Sequence, residues 1–336
     1  MSHSASWPPW VLCFAATLGV AGEVELPGEG ARPRHGEPAA PESFASPELL
    51  TGAEQLAVWL GEGKTPPGAS LVVLDGRARE EYAGGHLPGA RNVESDLLQD
   101  PERKPYFLPA PEVIAELAAA AGINPDTRVV VYDAHGGRLA ARVWFILWAC
   151  GHEHASILDG GLRKWRDEKR PLTTDGPPRP SQPGTWRPAQ RLRGVCAFSD
   201  LGAYRVAPLP GKLPPTVLID ARPNAEYTGV EVRSRHGGHI PGAVNIPWEA
   251  MLKPVAAQRP QGEAKAYYVW REPAEIHAIL RAAGIQPGQA LAIYDHSGGR
   301  AAQVLFTLRL LGYGQVVNYV GGWREYGSRD DVAIER

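Results

Sequence analysis

The chain has 336 residues, of which 43% are hydrophobic, and its 35 basic and 37 acidic residues leave a net charge of −2. The hydrophobic share excludes global disorder, and mixed charges without a basic run argue against nucleic acid as a partner. The length suits two domains of moderate size.

The N-terminus predicts an export signal over residues 1–22. Residues 10–22 are apolar, end in small side chains and form a segment too short to span a bilayer comfortably. Signal peptides usually begin with basic residues, but the residues before this segment include no Lys or Arg. An uncleaved membrane anchor and a misassigned start codon are therefore the alternatives. We expect a periplasmic protein without stable membrane insertion after signal cleavage, with a flexible leader over residues 23–45.

From residue 46 onward, short apolar segments alternate with helical patterns. Residues 71–74 have the character of an interior parallel strand. Pro111–Ala121 predicts a helix that Gly122 ends, and Arg128–Tyr132 predicts the next strand. This alternation predicts an α/β fold in which helices cover both faces of a parallel sheet.

The same order of features occurs twice. An Asp-x-Arg motif at Asp75 recurs at Asp220, and a Gly-His-(Leu/Ile)-Pro-Gly-Ala motif at Gly85 recurs at Gly238. Such self-similarity indicates a tandem duplication. The predicted organisation is an N-terminal domain over residues 46–170, a linker over 171–194 and a C-terminal domain over 195–336.

A glycine-containing loop between a strand and a helix is the candidate functional element of each copy. It reads Asp133-Ala134-His135-Gly136-Gly137-Arg138 in the first copy and Asp295-His296-Ser297-Gly298-Gly299-Arg300 in the second. A tight loop before a helix start gathers backbone N–H groups around one point, which suits it to hold an anion.

Two further features recur: Glu-Tyr after each Asp-x-Arg, and a late Gly-Gly motif at Gly160 and again at Gly321. Together, these motifs resemble the rhodanese family. Two copies in one chain resemble the two-domain thiosulfate and 3-mercaptopyruvate sulfurtransferases. In that family the N-terminal domain is usually inert, and a cysteine at the first position of the C-terminal loop carries sulfane sulfur as a persulfide. Alignment on Gly298 and Arg300 places Asp295 at that position.

A carboxylate at position 295 cannot form a persulfide, and it repels a thiosulfate dianion by about 4 kcal/mol per pair of unit charges at ~4 Å. The resemblance therefore implies a sulfurtransferase homologue that is inactive and binds a small sulfur-containing or other anion, or a protein partner. The candidate binding residues are Asp295, His296, Ser297, Gly298, Gly299, Arg300 and Arg235. The alternative is an active thiosulfate or 3-mercaptopyruvate sulfurtransferase.

Several neighbouring residues have two interpretations. Arg233 and Arg235 can form an anion-binding rim, or an arginine such as Arg300 can simply neutralise Asp295. We favour the second interpretation. Trp248 and Trp270 can line the site or belong to the core. We expect no metal and no cofactor, because the histidines of residues 151–154 make a weak metal site and Cys150 and Cys196 lie outside both loops.

Two further motifs are predicted to be structural. We expect Asp75 with Arg77, and Asp220 with Arg222, to form ion pairs that support the strand ends, together with Glu81 and Glu226. The histidines His86 and His239 belong to the Gly-His-(Leu/Ile)-Pro-Gly-Ala turns and are expected to stabilise them.

Overall fold

The computed structural model describes residues 43–62, 70–95, 98, 100, 102, 108–204, 216–261 and 264–336. The predicted signal peptide and nearly all of the predicted leader lie outside these residues. In the part of the chain that the structure describes, no helix is both long and apolar enough to cross a bilayer.

Within the described residues, the N-terminal repeat is built on a five-stranded parallel sheet in the order β1-β5-β4-β2-β3. Its strands are β1 (Leu50–Thr51), β2 (Leu71–Asp75), β3 (Arg91–Asn92), β4 (Arg128–Tyr132) and β5 (Ala155–Leu158). Its helices are α1 (Ala53–Glu62), α2 (Arg79–Ala83), α3 (Pro111–Ala121), α4 (Arg138–Ala149) and α5 (Gly161–Asp167). The central β4 contains three consecutive valines because helices cover both of its faces.

The C-terminal repeat has the same architecture, with the described strands in the order β6-β12-β11-β7-β8. The strands are β6 (Val195–Cys196), β7 (Thr216–Asp220), β8 (Val244–Asn245), an antiparallel hairpin of β9 (Leu252–Gln261) and β10 (Ala264–Trp270), then β11 (Ala290–Tyr294) and β12 (Val316–Tyr319). The helices are α6 (Asn224–Tyr227), α7 (Pro273–Ala282), α8 (Gly299–Leu310) and α9 (Gly322–Tyr326). The predicted tandem α/β fold is confirmed.

One hydrophobic cluster spans both repeats where α4 packs against α8, and among the described residues each repeat also has a second cluster of its own. Every side chain from Leu139 to Ala149 is buried, and the Trp144 ring meets Phe306 edge-on with centroids 4.8 Å apart. Helix α4 is apolar nearly all round because it lies between its own sheet and the other repeat. Because α4 and α8 each begin at a glycine loop, this packing brings both loops to the boundary between the repeats.

The predicted linker is packed along the N-terminal repeat. The backbone N–H of Trp186 donates to the carbonyl of Ile123 at 3.0 Å, and that of Ala189 donates to the carbonyl of Cys150 at 2.8 Å. The Trp186 side chain is buried. The segment therefore adds to the folded domain while it connects the repeats.

The predicted structural motifs form as expected at the strand ends. Arg77 pairs with Asp75 at 2.5 Å and Arg222 with Asp220 at 2.6 Å, and all four side chains are buried. Each arginine also donates to a turn carbonyl, which ties the strand end to the following turn. The side chains of Glu81 and Glu226 do not join these pairs, contrary to the expectation, and contact His135 and Arg300 instead. The backbone carbonyl of Glu81 does accept a hydrogen bond from Arg77 Nη1 at 3.2 Å.

Both turn histidines are also structural. His86 stacks on Tyr82 with ring centroids 3.8 Å apart, and His239 stacks on Tyr227 at 3.7 Å. Each histidine contacts the carbonyl of its stacking partner through Nδ1 at 3.0 Å. These contacts hold each turn against the short helix that precedes it.

Candidate functional site

The C-terminal loop follows β11 and turns sharply at Gly298 before α8 begins. The φ angle of Gly298 is +89°, a conformation that side-chain-bearing residues rarely adopt. The Asp295 side chain points into the loop and is only 2% exposed. Its backbone carbonyl accepts a hydrogen bond from Trp323 at 2.7 Å, which connects the loop to the late Gly-Gly motif.

The Asp295 carboxylate occupies the centre of its own loop. Oδ1 accepts a hydrogen bond from the Gly298 N–H, and Oδ2 accepts from the Arg300 N–H at 3.1 Å and from Arg300 Nε at 3.2 Å. The sequence predicts that this loop holds an anion. In the structure, the anion that accepts the loop's hydrogen bonds is the Asp295 carboxylate itself.

Arg300 bridges two carboxylates. Its terminal nitrogens reach both oxygens of Glu226, at 2.6 and 3.2 Å, while its Nε contacts Asp295. Burial alone would raise the pKa of both Asp295 and Glu226. The charge of Arg300 holds the pKa of each acid below its ordinary value, and the loop N–H donors add to this effect at Asp295. Both acids are therefore ionised near neutral pH, and Arg300 neutralises Asp295 as one of the two sequence interpretations proposes.

A cavity of about 90 Å³ lies beside this ion cluster, between the two repeats. The C-terminal repeat lines it with Arg233, Asp295, His296, Ser297, Gly299 and Arg300, and the N-terminal repeat lines it with Ser95, Arg138, Leu139 and Arg142. The structure thus brings together five of the predicted binding residues. Gly298 shapes the loop without lining the cavity.

Arg235 does not lie in this cavity, contrary to the expectation. It is 60% exposed and ion-pairs with Asp330 on the surface. Arg233, two residues earlier, lines the cavity and places Nη1 3.4 Å from Glu226. Residues two apart in an extended segment share a side, but the chain bends at residues 234–236, so the two arginines diverge. The sequence could therefore place the arginine pair near the site without showing which one enters it.

His296 contributes an imidazole with an unused nitrogen. Its Nδ1 is buried and has no hydrogen-bond partner among the described residues. Burial and the nearby charge of Arg233 lower the pKa of His296 to about 4. The ring is therefore neutral at physiological pH and can accept or donate one hydrogen bond in the cavity.

Four cavity residues were not predicted from the sequence: Ser95, Arg138, Leu139 and Arg142. They belong to the N-terminal repeat. Arg142 donates to the Ser297 carbonyl at 3.4 Å and to the Leu98 carbonyl at 3.3 Å. One of them, Arg138, could have been predicted by comparing the two copies, because it has the same loop position as Arg300.

The N-terminal loop is closed. The carboxylate of Asp133 accepts four backbone N–H bonds, from His135, Gly137, Leu139 and Ala140 at 2.7–3.0 Å. Trp270 lies so close to Gly137 that an added Cβ would overlap its indole ring, and Leu252 and Trp248 cover Gly136. Trp248 and Trp270 therefore cover the other loop and do not line the candidate site.

The remaining sequence candidates are structural. His152 contacts the Thr127 carbonyl through Nε2 at 2.9 Å, and the described residues contain no cluster of three potential metal ligands. Cys150 and Cys196 are buried, and neither lines the cavity. Burial raises the pKa of the Cys196 thiol to about 12, which makes it a poor nucleophile.

A rhodanese-like domain model matches residues 53–168 and again residues 209–329. The chain therefore belongs to the rhodanese family. It is 30% identical to a thiosulfate sulfurtransferase of Pseudomonas aeruginosa over 79% of this chain and 91% of that protein. It is 31% identical to a 3-mercaptopyruvate sulfurtransferase of Escherichia coli K12 over 83% of this chain and 96% of that protein.

Solved structures show the same fold. A crystal structure of the anaerobic ergothioneine biosynthesis enzyme from Chlorobium limicola superimposes with a TM-score of 0.71 and 24% identity. The superposition covers 87% of this chain and 71% of that one. The likeness supports the two-repeat architecture.

Proposed function

We propose that this protein is a rhodanese-family member that binds a small anion between its repeats and does not carry sulfane sulfur on residue 295. The observation that supports this most is the placement of the Asp295 carboxylate. It already accepts the loop's hydrogen bonds and the Arg300 charge. Those donors are therefore not available to a substrate anion, and an oxygen ligand cannot accept a sulfur atom as a persulfide.

The cavity supports the binding part of the proposal. Arg138, Arg142 and Arg233 line it in addition to Arg300, and Asp295 is the acid among the lining residues. Guanidinium groups bind oxyanions through paired N–H donors. Ligand binding at this cavity therefore uses arginines outside the loop, rather than the loop N–H groups that Asp295 occupies.

An active thiosulfate or 3-mercaptopyruvate sulfurtransferase is the second candidate, because the relatives at 30–31% identity bear those names. That activity needs a nucleophilic sulfur at the site. Of the described cysteines, Cys150 is 1% exposed and Cys196 is 2% exposed, and both lie away from the cavity lining. This second candidate therefore requires a thiol that a substrate or a partner protein supplies.

A sulfur-transfer assay separates the two candidates. Thiosulfate and cyanide are converted to sulfite and thiocyanate, and thiocyanate is measured for the parent chain, Asp295→Cys and Asp133→Cys. We expect the parent to be inactive and Asp295→Cys to form thiocyanate. Asp133→Cys is the matched control, because its loop is covered by Trp270, and we expect it to be inactive.

Thiocyanate production by the parent chain would overturn the proposal, and Cys150→Ser and Cys196→Ser would then locate the sulfur that reacts. The binding part is tested separately by thermal unfolding of the parent chain in sodium sulfate and in sodium chloride of equal ionic strength. Sulfate also stabilises folded proteins generally at high concentration, so we expect site binding to appear as a rise in melting temperature over chloride that saturates at millimolar sulfate. Equal melting temperatures would contradict anion binding.

A further inference from the structure

Ser95 and Trp248 occupy equivalent positions in the two repeats. The Ser95 N–H donates to the Gly76 carbonyl at 3.2 Å, and the Trp248 N–H donates to the Ala221 carbonyl at 3.1 Å. In each case the acceptor is the middle residue of an Asp-x-Arg motif. Each repeat directs this position towards the loop of the other repeat: Trp248 covers Gly136, whereas Ser95 lines the cavity beside Asp295.

The difference in size between these two side chains gives the two loops different environments. A tryptophan, with Trp270 and Leu252, fills the space over the N-terminal loop. A serine leaves open the corresponding space over the C-terminal loop. The Ser95 side chain is only 1% exposed, and its Oγ has no hydrogen-bond partner among the described residues. Buried hydroxyl groups are rarely left unpaired, so this one indicates a ligand.

Arg138 and Arg300 are the second equivalent pair, and their roles also differ. Arg300 is held by Asp295 and by Glu226. The N-terminal counterpart of Glu226 is Glu81, and it contacts His135 at 3.2 Å instead. Asp133 is already satisfied by backbone N–H groups, so neither acid holds the Arg138 side chain.

Arg138 lines the cavity, and within the part of the chain that the structure describes its guanidinium has no hydrogen-bond or ion-pair partner. The duplicated arginine has thus lost the structural contacts that its counterpart keeps. We propose that Ser95 and Arg138 of the N-terminal repeat are direct ligands of the bound anion, and that Arg138 selects doubly charged tetrahedral oxyanions over singly charged anions. This inference rests on the anion binding proposed above.

Charge and size both fit this class of ligand. Four arginines line the cavity, while Asp295 in the lining and Glu226 next to it supply two negative charges, which leaves an excess of two positive charges. The cavity of about 90 Å³ is several times the roughly 10–15 Å³ that one water molecule needs on the same measure, so it has room for a small polyatomic ion. A small dianion such as sulfate, thiosulfate or hydrogen phosphate balances the charge and occupies that volume.

The test is a calorimetric titration of the full chain with sodium sulfate and with sodium formate at constant ionic strength. We expect the parent chain to bind sulfate at least about tenfold more tightly than formate, and Arg138→Gln to weaken sulfate binding by about tenfold or more. Ser95→Ala should weaken sulfate binding several-fold, because it removes a single neutral donor. Parallel titrations with thiosulfate and phosphate show which member of the class binds most tightly.

Arg128→Gln is the matched control. Arg128 begins β4, whereas the loop that contains Arg138 follows the other end of the same strand. The control removes the same charge far from the cavity and should leave sulfate binding unchanged. Equal sulfate affinity in the parent chain, Arg138→Gln and Ser95→Ala would overturn this inference and leave the proposed function standing. Absence of sulfate binding by the parent chain would overturn both.

Discussion

The Nε atom of Arg300 lies 3.2 Å from Oδ2 of Asp295, and both side chains are almost fully buried. The two residues are five apart in one loop, and the remaining guanidinium nitrogens reach Glu226. Burial alone lowers the pKa of Arg300, but the two carboxylates raise it above its ordinary value. The loop is therefore an internally neutralised structure, and the positive charge available to a ligand comes from other arginines.

The duplicated arginines predict unequal effects on stability. Arg300→Gln leaves two buried carboxylates without their main cation and should cost about 3–5 kcal/mol in the free energy of unfolding. Arg138→Gln removes no structural partner and should cost less than about 1 kcal/mol. Urea denaturation of both variants at pH 7 measures the difference. Equal losses would contradict the different roles assigned to the two side chains.

A cysteine introduced at position 295 should be reactive. Arg300 and the loop N–H groups favour the thiolate, so the pKa of the thiol in Asp295→Cys should fall below the ordinary value of about 8.5. The pH dependence of the iodoacetamide reaction rate measures that pKa, with the parent chain as background. In Asp133→Cys the covering Trp270 should slow alkylation at least about tenfold, because reagent access also controls thiol reactivity. Similar rates for the two variants would mean that the N-terminal loop is open.

The packing of Trp270 on the N-terminal loop can be tested with glycine substitutions. Gly137 has φ +83° and its added Cβ would overlap the Trp270 ring, whereas Gly89 has φ +74° with no atom within 4 Å of an added Cβ. Gly89→Ala should therefore cost only backbone strain, about 1 kcal/mol. Gly137→Ala adds overpacking and should cost about 1–3 kcal/mol more. Chemical denaturation of the two variants gives the comparison, and equal costs would show that Trp270 moves aside freely.

The buried imidazole of His296 predicts sensitivity to acid. Its folded-state pKa is about 4, below the ordinary value of 6.5, so the unfolded chain takes up a proton first as the pH falls. Stability should therefore decrease from about pH 6.5 downwards, and this residue should contribute about 2 kcal/mol to the loss between pH 7 and pH 5. Urea denaturation at pH 7 and at pH 5 measures the loss of unfolding free energy between the two pH values. This loss should be about 2 kcal/mol smaller in His296→Gln than in the parent chain. Glu226 and Asp295, which face His296, remain ionised over this range because their pKa values are lowered. An unchanged difference between the two pH values would mean that the ring is protonated in the fold.

Much of the architecture could be predicted from the sequence because its signals are local. The valine run of β4, the helix that Gly122 ends and the repeated turn motifs each depend on residues that are close along the chain. The position of Asp295 at the start of a strand–loop–helix junction follows from the same local pattern. The choice between Arg233 and Arg235 did not follow, because it depends on how one loop turns over the cavity.

The sequence by itself determined a duplicated α/β fold and placed a carboxylate, Asp295, at the first position of the C-terminal glycine loop. Only the tertiary structure decided which residues share the cavity with that carboxylate. Ser95 and Arg138 are far from Asp295 along the chain, and they reach it because α4 packs against α8. Hydrophobic periodicity specifies that each helix has buried faces, but contact between two buried helices depends on how the whole core packs. The duplicated positions therefore took on different roles through packing, since each repeat completes the environment of the other repeat's loop.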